Sequence, residues 1–102
     1  MKNEKVAKIV VTNTENVKPQ YSNYVSISHT PHEFILSFCY IDPARLTRGE
    51  EQEVPAEAFS RIVVTPSLLP NIIKALQTNL EKYNVSIKKE MARIKEEKER
   101  IN

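Results

Sequence analysis

The stretch Ala58-Phe59-Ser60-Arg61-Ile62-Val63-Val64 runs directly into Thr65-Pro66-Ser67-Leu68-Leu69-Pro70, and the apolar rhythm changes at the junction. Before Thr65 the period is two. Phe59, Arg61 and Val63 fall on one face, and Ala58, Ser60, Ile62 and Val64 on the other, as in a strand. After Thr65 the apolar positions are Leu69, Ile73, Leu76, Leu80, Tyr83 and Ile87, in steps of 4, 3, 4, 3 and 4. That is one stripe along a helix. Either Thr65 or Ser67 suits its N-cap. Pro66 would then take the first helical turn, or Pro70 would stand where its missing N–H is not needed. Met91 and Ile94 carry the stripe further, with a weak point at Asn84-Val85-Ser86 where the helix can break.

Upstream, Pro19, Pro31, Pro43 and Pro55 stand twelve residues apart, and Pro66 follows eleven later. Proline lacks a ladder N–H, so this spacing marks turns between successive strands. Three further strands fit between the turns. Val6–Val11 is short and β-branched, and Tyr24–Ser28 alternates polar and apolar residues. Glu33–Ile41 is apolar on nearly both faces, with Phe34, Leu36, Phe38 and Tyr40 on one and Ile35, Ser37, Cys39 and Ile41 on the other. Such a strand is central, or its second face meets another subunit. Residues 42–57 are charged, bounded by prolines and contain Gly49, the one glycine, which reads as a mobile loop. The fold expected is α+β: a four-stranded, mostly antiparallel β-meander followed by one long C-terminal α-helix. Residues 1–83 form a single sheet-plus-helix domain and residues 84–102 a charged helical extension.

Four segments carry a resemblance. They are Pro19-Gln20-Tyr21-Ser22-Asn23-Tyr24, Ser28-His29-Thr30-Pro31-His32-Glu33-Phe34, Arg61-Ile62-Val63-Val64-Thr65-Pro66 and Leu76-Gln77-Thr78-Asn79-Leu80-Glu81-Lys82-Tyr83. In that order, over residues 19–83, they resemble a family of small bacterial and archaeal proteins catalogued as a domain of unknown function, which implies no activity. The element order is also similar to that of the export chaperone SecB, a four-stranded antiparallel sheet followed by a long helix. That similarity implies a SecB-like dimer or tetramer that holds unfolded clients. The chain departs from it in its charged loop 42–57, which lacks an apolar glycine-rich hairpin.

Composition removes several classes of function. At 102 residues, 40% hydrophobic and 27% charged, the chain is one domain's worth and not disordered by composition. One cysteine makes no internal disulfide and suits a reducing, cytoplasmic setting. No apolar run nears the ~20 residues of a membrane helix, and the first eight residues do not read as a secretory signal. A single glycine excludes the glycine-rich phosphate loops. The net charge of +2 sits in residues 84–102, which hold six basic and four acidic residues; the rest holds nine of each (15 less 6, 13 less 4).

Candidate chemistry is sparse. His29 and His32 flank Thr30-Pro31, and with Cys39 and Glu33 they fall short of a convincing zinc set. His29 reads as a strand end and His32 as a turn residue. Cys39, on an apolar strand without basic neighbours, reads as a small core side chain. Glu50, Glu51 and Glu53 read as solvating charges. No cofactor, metal ligand or catalytic residue is expected, so the chain reads as no enzyme. The apolar surplus points instead to an interaction surface of Phe34, Leu36, Phe38, Tyr40, Arg61, Met91 and Ile94. Its expected partners are further copies of the chain, as a homodimer or tetramer, and an unfolded or partner protein. Arg61 could pair with Glu33 or Glu57, or reach a partner's carboxylate. The alternative function is nucleic-acid association through the basic C-terminal helix, which the interleaved glutamates weaken.

Overall fold

A computed structural model describes residues 6–101. Three strands, β1 (Tyr24–His29), β2 (Phe34–Tyr40) and β3 (Glu57–Val64), form one antiparallel sheet in the order β1-β2-β3. A short helix α1 (Pro43–Arg48) lies between β2 and β3, and a long helix α2 (Leu69–Ile101) follows. The class is α+β, and the sheet has three strands instead of four. Val6–Val11 forms no strand, and Val6 and Ile9 are 91% and 89% exposed. β-branched residues favour strands, but the ladder and cross-strand neighbours stabilise them. Val6–Val11 has neither.

β1 and β2 meet in register from Tyr24 opposite Cys39 to His29 opposite Phe34. The hairpin loop Thr30–Glu33 is closed by Thr30 N–H donating to the Glu33 carbonyl at 2.9 Å, and His32 N–H donates to Thr30 Oγ1. At the far end the Asn23 amide imitates a backbone residue. Its Nδ2 donates to the Ile41 carbonyl and its Oδ1 accepts from Ile41 N–H, both at 2.8 Å. Ser22 Oγ donates to the Cys39 carbonyl at 2.9 Å. The ladder is thus extended beyond β1 by side chains.

β2 and β3 pair from Phe34 opposite Val64 to Tyr40 opposite Glu57, with a register shift at Phe38 and Cys39. Ser60 faces Phe38 and Ala58 faces Cys39, so Phe59 is the extra residue of a bulge.

Residues 42–57, expected as a mobile loop, contain α1. Asp42 caps it, its Oδ1 accepting from Ala44 N–H at 3.0 Å, and Pro43 opens the first turn. Gly49 closes it at φ 66, a left-handed conformation that glycine takes without cost. Arg45 then clamps Glu51 through two guanidinium–carboxylate hydrogen bonds, one of 2.9 Å. An Asp-Pro start and a glycine stop are helix punctuation, and here they outweighed the charge of the segment.

The junction after β3 tightens before it becomes a helix. Leu68 N–H bonds the Thr65 carbonyl and Leu69 N–H the Pro66 carbonyl, while Ile72 N–H reaches the Leu68 carbonyl. Pro70 therefore stands in the first turn, where no N–H is required. The Thr65 and Ser67 hydroxyls bond one another at 3.3 Å. From Leu69, α2 runs for 33 residues, about 50 Å. It passes through Asn84-Val85-Ser86 without a break, because three mediocre helix formers cost only tenths of a kcal/mol each between strong flanks.

The chain buries little of itself. Among the described residues only Cys39, at 4% exposure, is a buried side chain. The accessible surface is 9780 Å², where a compact monomer of this mass exposes about 5,900 Å². The radius of gyration is 20.5 Å against about 13 Å for a globule of this length. The strand pairs supply nearly all packing between elements, and α2 contacts the sheet only marginally.

Replacing Asn23 with alanine should destabilise the sheet by about 1 kcal/mol, since two partly exposed hydrogen bonds close its end. Urea unfolding at fixed protein concentration measures this. An unchanged midpoint would show that the ladder does not need the Asn23 extension.

Candidate interaction surface

The register sorts the sheet into two unlike faces. Paired residues share a face, so Phe34, Leu36 and Phe38 of β2 stand beside Val25, Ile27 and His29 of β1 and Ser60, Ile62 and Val64 of β3. Tyr40 continues the same side by alternation. Its ring meets Tyr21 edge-on at a centroid distance of 6.3 Å, and His29 lies against Phe34 at 5.4 Å. The face is apolar and open: Ile27 is 60% exposed and Ile62 48%, while Phe34, Leu36 and Phe38 are half-buried. The reverse face carries Tyr24, Ser26 and Ser28, then Ile35, Ser37 and Cys39, then Arg61 and Val63.

The residues expected at interfaces fall in three places. Phe34, Leu36, Phe38 and Tyr40 share a sheet face. Arg61 lies on the opposite face, across from Ser37. It forms no ion pair among the described residues. Glu57 is four residues from it along β3, about 13 Å away. Met91 and Ile94 belong to α2, and Met91 lies about 33 Å along the axis from the start of that helix. The sequence reading left out Val25, Ile27, Ile62 and Val64, which complete the sheet face. The alternation of Val25 and Ile27 was the signal, but only the register shows that they join Leu36.

The second surface is the stripe of α2. Leu76, Leu80, Tyr83, Ile87, Met91 and Ile94 are 40–66% exposed, and every described side chain from Ile73 onward is exposed. A shallow hollow lies between Met91, Ala92, Ile94, Lys95 and Lys98, and another between Thr78, Glu81, Lys82, Val85 and Ser86. On the distal half, Arg93 holds Glu97 at 2.7 Å and also pairs with Glu90. One of the basic residues is therefore already matched by acids on its own helix.

His29 and Cys39 lie five residues apart in β2 register, about 17 Å. Among the described residues no three of His, Cys, Asp and Glu converge as metal ligands. No helix there is long and apolar enough to cross a membrane.

The family described as a protein of unknown function, DUF3467, matches residues 1–96. The chain belongs to that family. No curated protein matches it, and no solved structure does. The family match extends past the four recognised segments at both ends. It includes the whole sheet and α2 as far as Glu96, and with it both Met91 and Ile94. The DUF3467 match thus covers Met91 and Ile94 and ends before Lys98.

Two measurements check these surroundings. The Arg45 guanidinium, first by hydrogen bonding and then by charge, holds the Glu51 carboxyl below the ordinary carboxylate range, against a smaller opposing effect of desolvation. A depressed carboxylate adds stability above its unfolded pKa and loses it as pH falls through the folded value. Amide exchange in residues 43–51, corrected for its intrinsic pH dependence, should therefore quicken as pH drops through that range. A Glu51→Gln variant should remove the transition, and a flat wild-type profile would show that the clamp does not order the segment. Separately, a soluble disulfide reagent should label buried Cys39 at least about tenfold more slowly in the folded chain than in urea. Equal rates would make Cys39 a reactive, accessible thiol.

Proposed function

We propose that the protein is a non-enzymatic, cytoplasmic protein-interaction module that works as a homo-oligomer, in a chaperone- or adaptor-like role. One observation carries this reading. The described residues include a single buried side chain, yet they present an apolar sheet face and an apolar helix stripe to solvent. Exposed apolar area on this scale marks surfaces that other protein covers. The excess over a compact monomer, about 3,900 Å², is several times the roughly 800 Å² that each partner contributes to a standard interface. Self-association alone leaves area for a second protein.

The chaperone-like part rests on the chemistry of the sheet face and not on the SecB likeness, since the sheet has three strands where SecB has four. Leu36, Phe38, Ile27 and Ile62 suit apolar segments of an unfolded chain, because the middle of the face is apolar and its one carboxylate, Glu57, stands at the end of the sheet opposite Tyr40. Binding of this kind depends on water and not on charge, so salt leaves it intact.

The test is aggregation of a thermally unfolding reporter enzyme, followed by light scattering with and without the full chain. Suppression should persist at about 1 M salt, where the Debye length is about 3 Å. It should drop when Leu36 or Ile27 is replaced with aspartate. No suppression at any ratio, or suppression that salt abolishes, overturns the client-holding role.

A further inference from the structure

We infer that the distal half of α2 is a parallel, two-stranded coiled-coil seam whose occupant is the same segment of a second copy of this chain. The inference rests on the homo-oligomer reading above and gives it a surface and a direction.

The stripe is spaced for it. Ile87, Met91, Ile94 and Lys98 follow steps of 4, 3 and 4, the heptad alternation of a and d positions, with Met91 and Lys98 at a and Ile87 and Ile94 at d. The step before, from Tyr83 to Ile87, is also 4, so the distal half is offset from the proximal stripe by one stutter. Lys98 at an a position costs stability but specifies register and oligomer state, and it works against the higher oligomers that isoleucine at d otherwise favours, because each added strand would bring another ammonium to the axis.

The flanks decide the direction. Next to the stripe on one side, at the e positions, stand Lys88 and Lys95. On the other, at the g positions, stand Glu90 and Glu97. In a parallel pair each g residue meets the e residue five positions on in the partner. Glu90 then faces Lys95 of the second copy, twice by symmetry. In an antiparallel pair the e positions meet one another and the g positions meet one another, which sets lysine against lysine and glutamate against glutamate. Arg93 fixes both glutamates on their flank without covering the stripe. In the proximal half the corresponding flanks carry Gln77, Asn79, Asn84 and Ser86, which are indifferent to direction.

The surface has the matching shape. The hollow at Met91, Ala92, Ile94, Lys95 and Lys98 contains the quartet i, i+3, i+4 and i+7, namely Met91, Ile94, Lys95 and Lys98. In a parallel coil that quartet is the hole that receives the partner's d residue at the same level, here its Ile94. Met91 is 65% and Ile94 40% exposed in the single chain, so the hole stands open.

Full-length variants test the seam. Mass by light scattering first establishes association of the wild type. Under mild oxidation, Ile94→Cys should cross-link into dimers faster than Glu96→Cys, which lies on the outer face, while the wild type, with Cys39 buried, should not. Glu90→Lys and Lys95→Glu should each weaken association by about five- to tenfold, as two attractive pairs become repulsive. Glu90→Lys combined with Lys95→Glu should restore it. An oligomeric wild type in which Ile94→Cys links no faster than Glu96→Cys, and in which Glu90→Lys tightens association, overturns the parallel seam and leaves self-association standing. A wild type that is monomeric at every concentration overturns both.

Discussion

β2 is the only strand paired on both edges, and the sheet depends on that double pairing. With β1 and β3 hydrogen-bonded to either side, Phe34–Phe38 is half-buried, Cys39 is buried and Tyr40 at the strand's end is exposed. Nothing further is layered over it. A domain of this size already exposes a large share of its surface because of its surface-to-volume ratio, and here the 33-residue helix that would form a second layer extends away from the sheet. A half-finished core of this kind explains why the apolar residues are so exposed. Two-layer packing is how small α+β domains meet their need for burial. Under the function proposed above, the second layer comes from outside the chain.

The local devices that hold the sheet are correspondingly polar. Asn23 extends the β1–β2 ladder with its amide, Ser22 occupies the Cys39 carbonyl, and Asp42, Gly49 and the Arg45–Glu51 clamp organise the crossing from β2 to β3. Each acts over a few residues. The strand register is also pinned by the bulge at Phe59, since a slip would turn the apolar face of β3 to the wrong side. Register and caps define the shape, while apolar burial, which usually dominates stability, is left incomplete.

The sequence made legible what periodicity controls. The switch from period two to 3.6 at Thr65 located β3 and α2, and the alternation in Phe34–Tyr40 gave its two faces correctly. It made less legible what pairing controls. Val6–Val11 has the composition of a strand, but composition does not say whether an edge is available. The seven residues expected at interfaces fall in three places that only pairing and packing assign: Phe34, Leu36, Phe38 and Tyr40 share one sheet face, Arg61 opposes Ser37 on the other, and Met91 and Ile94 lie far out on a helix that does not fold back. Residues 42–57 were readable in principle, from Asp42-Pro43 and Gly49, but their charge drew attention from those signals. The resemblance to a domain family of unknown function was legible over residues 19–83 from the order of four motifs, which needs no knowledge of packing, and the DUF3467 match extends it to residues 1–96.

The three-stranded sheet has two outer edges, and they are not equally guarded. β3 carries Arg61 at mid-length and Glu57 at its start, and Pro55 and Pro66 stand just beyond its ends. Charges and prolines of this kind discourage a foreign strand from docking. β1 has no lysine, arginine, aspartate or glutamate in its six residues. Its unpaired N–H and C=O groups therefore form an uninterrupted template. Tyr24–His29 is thus the edge along which a further strand would pair with least hindrance.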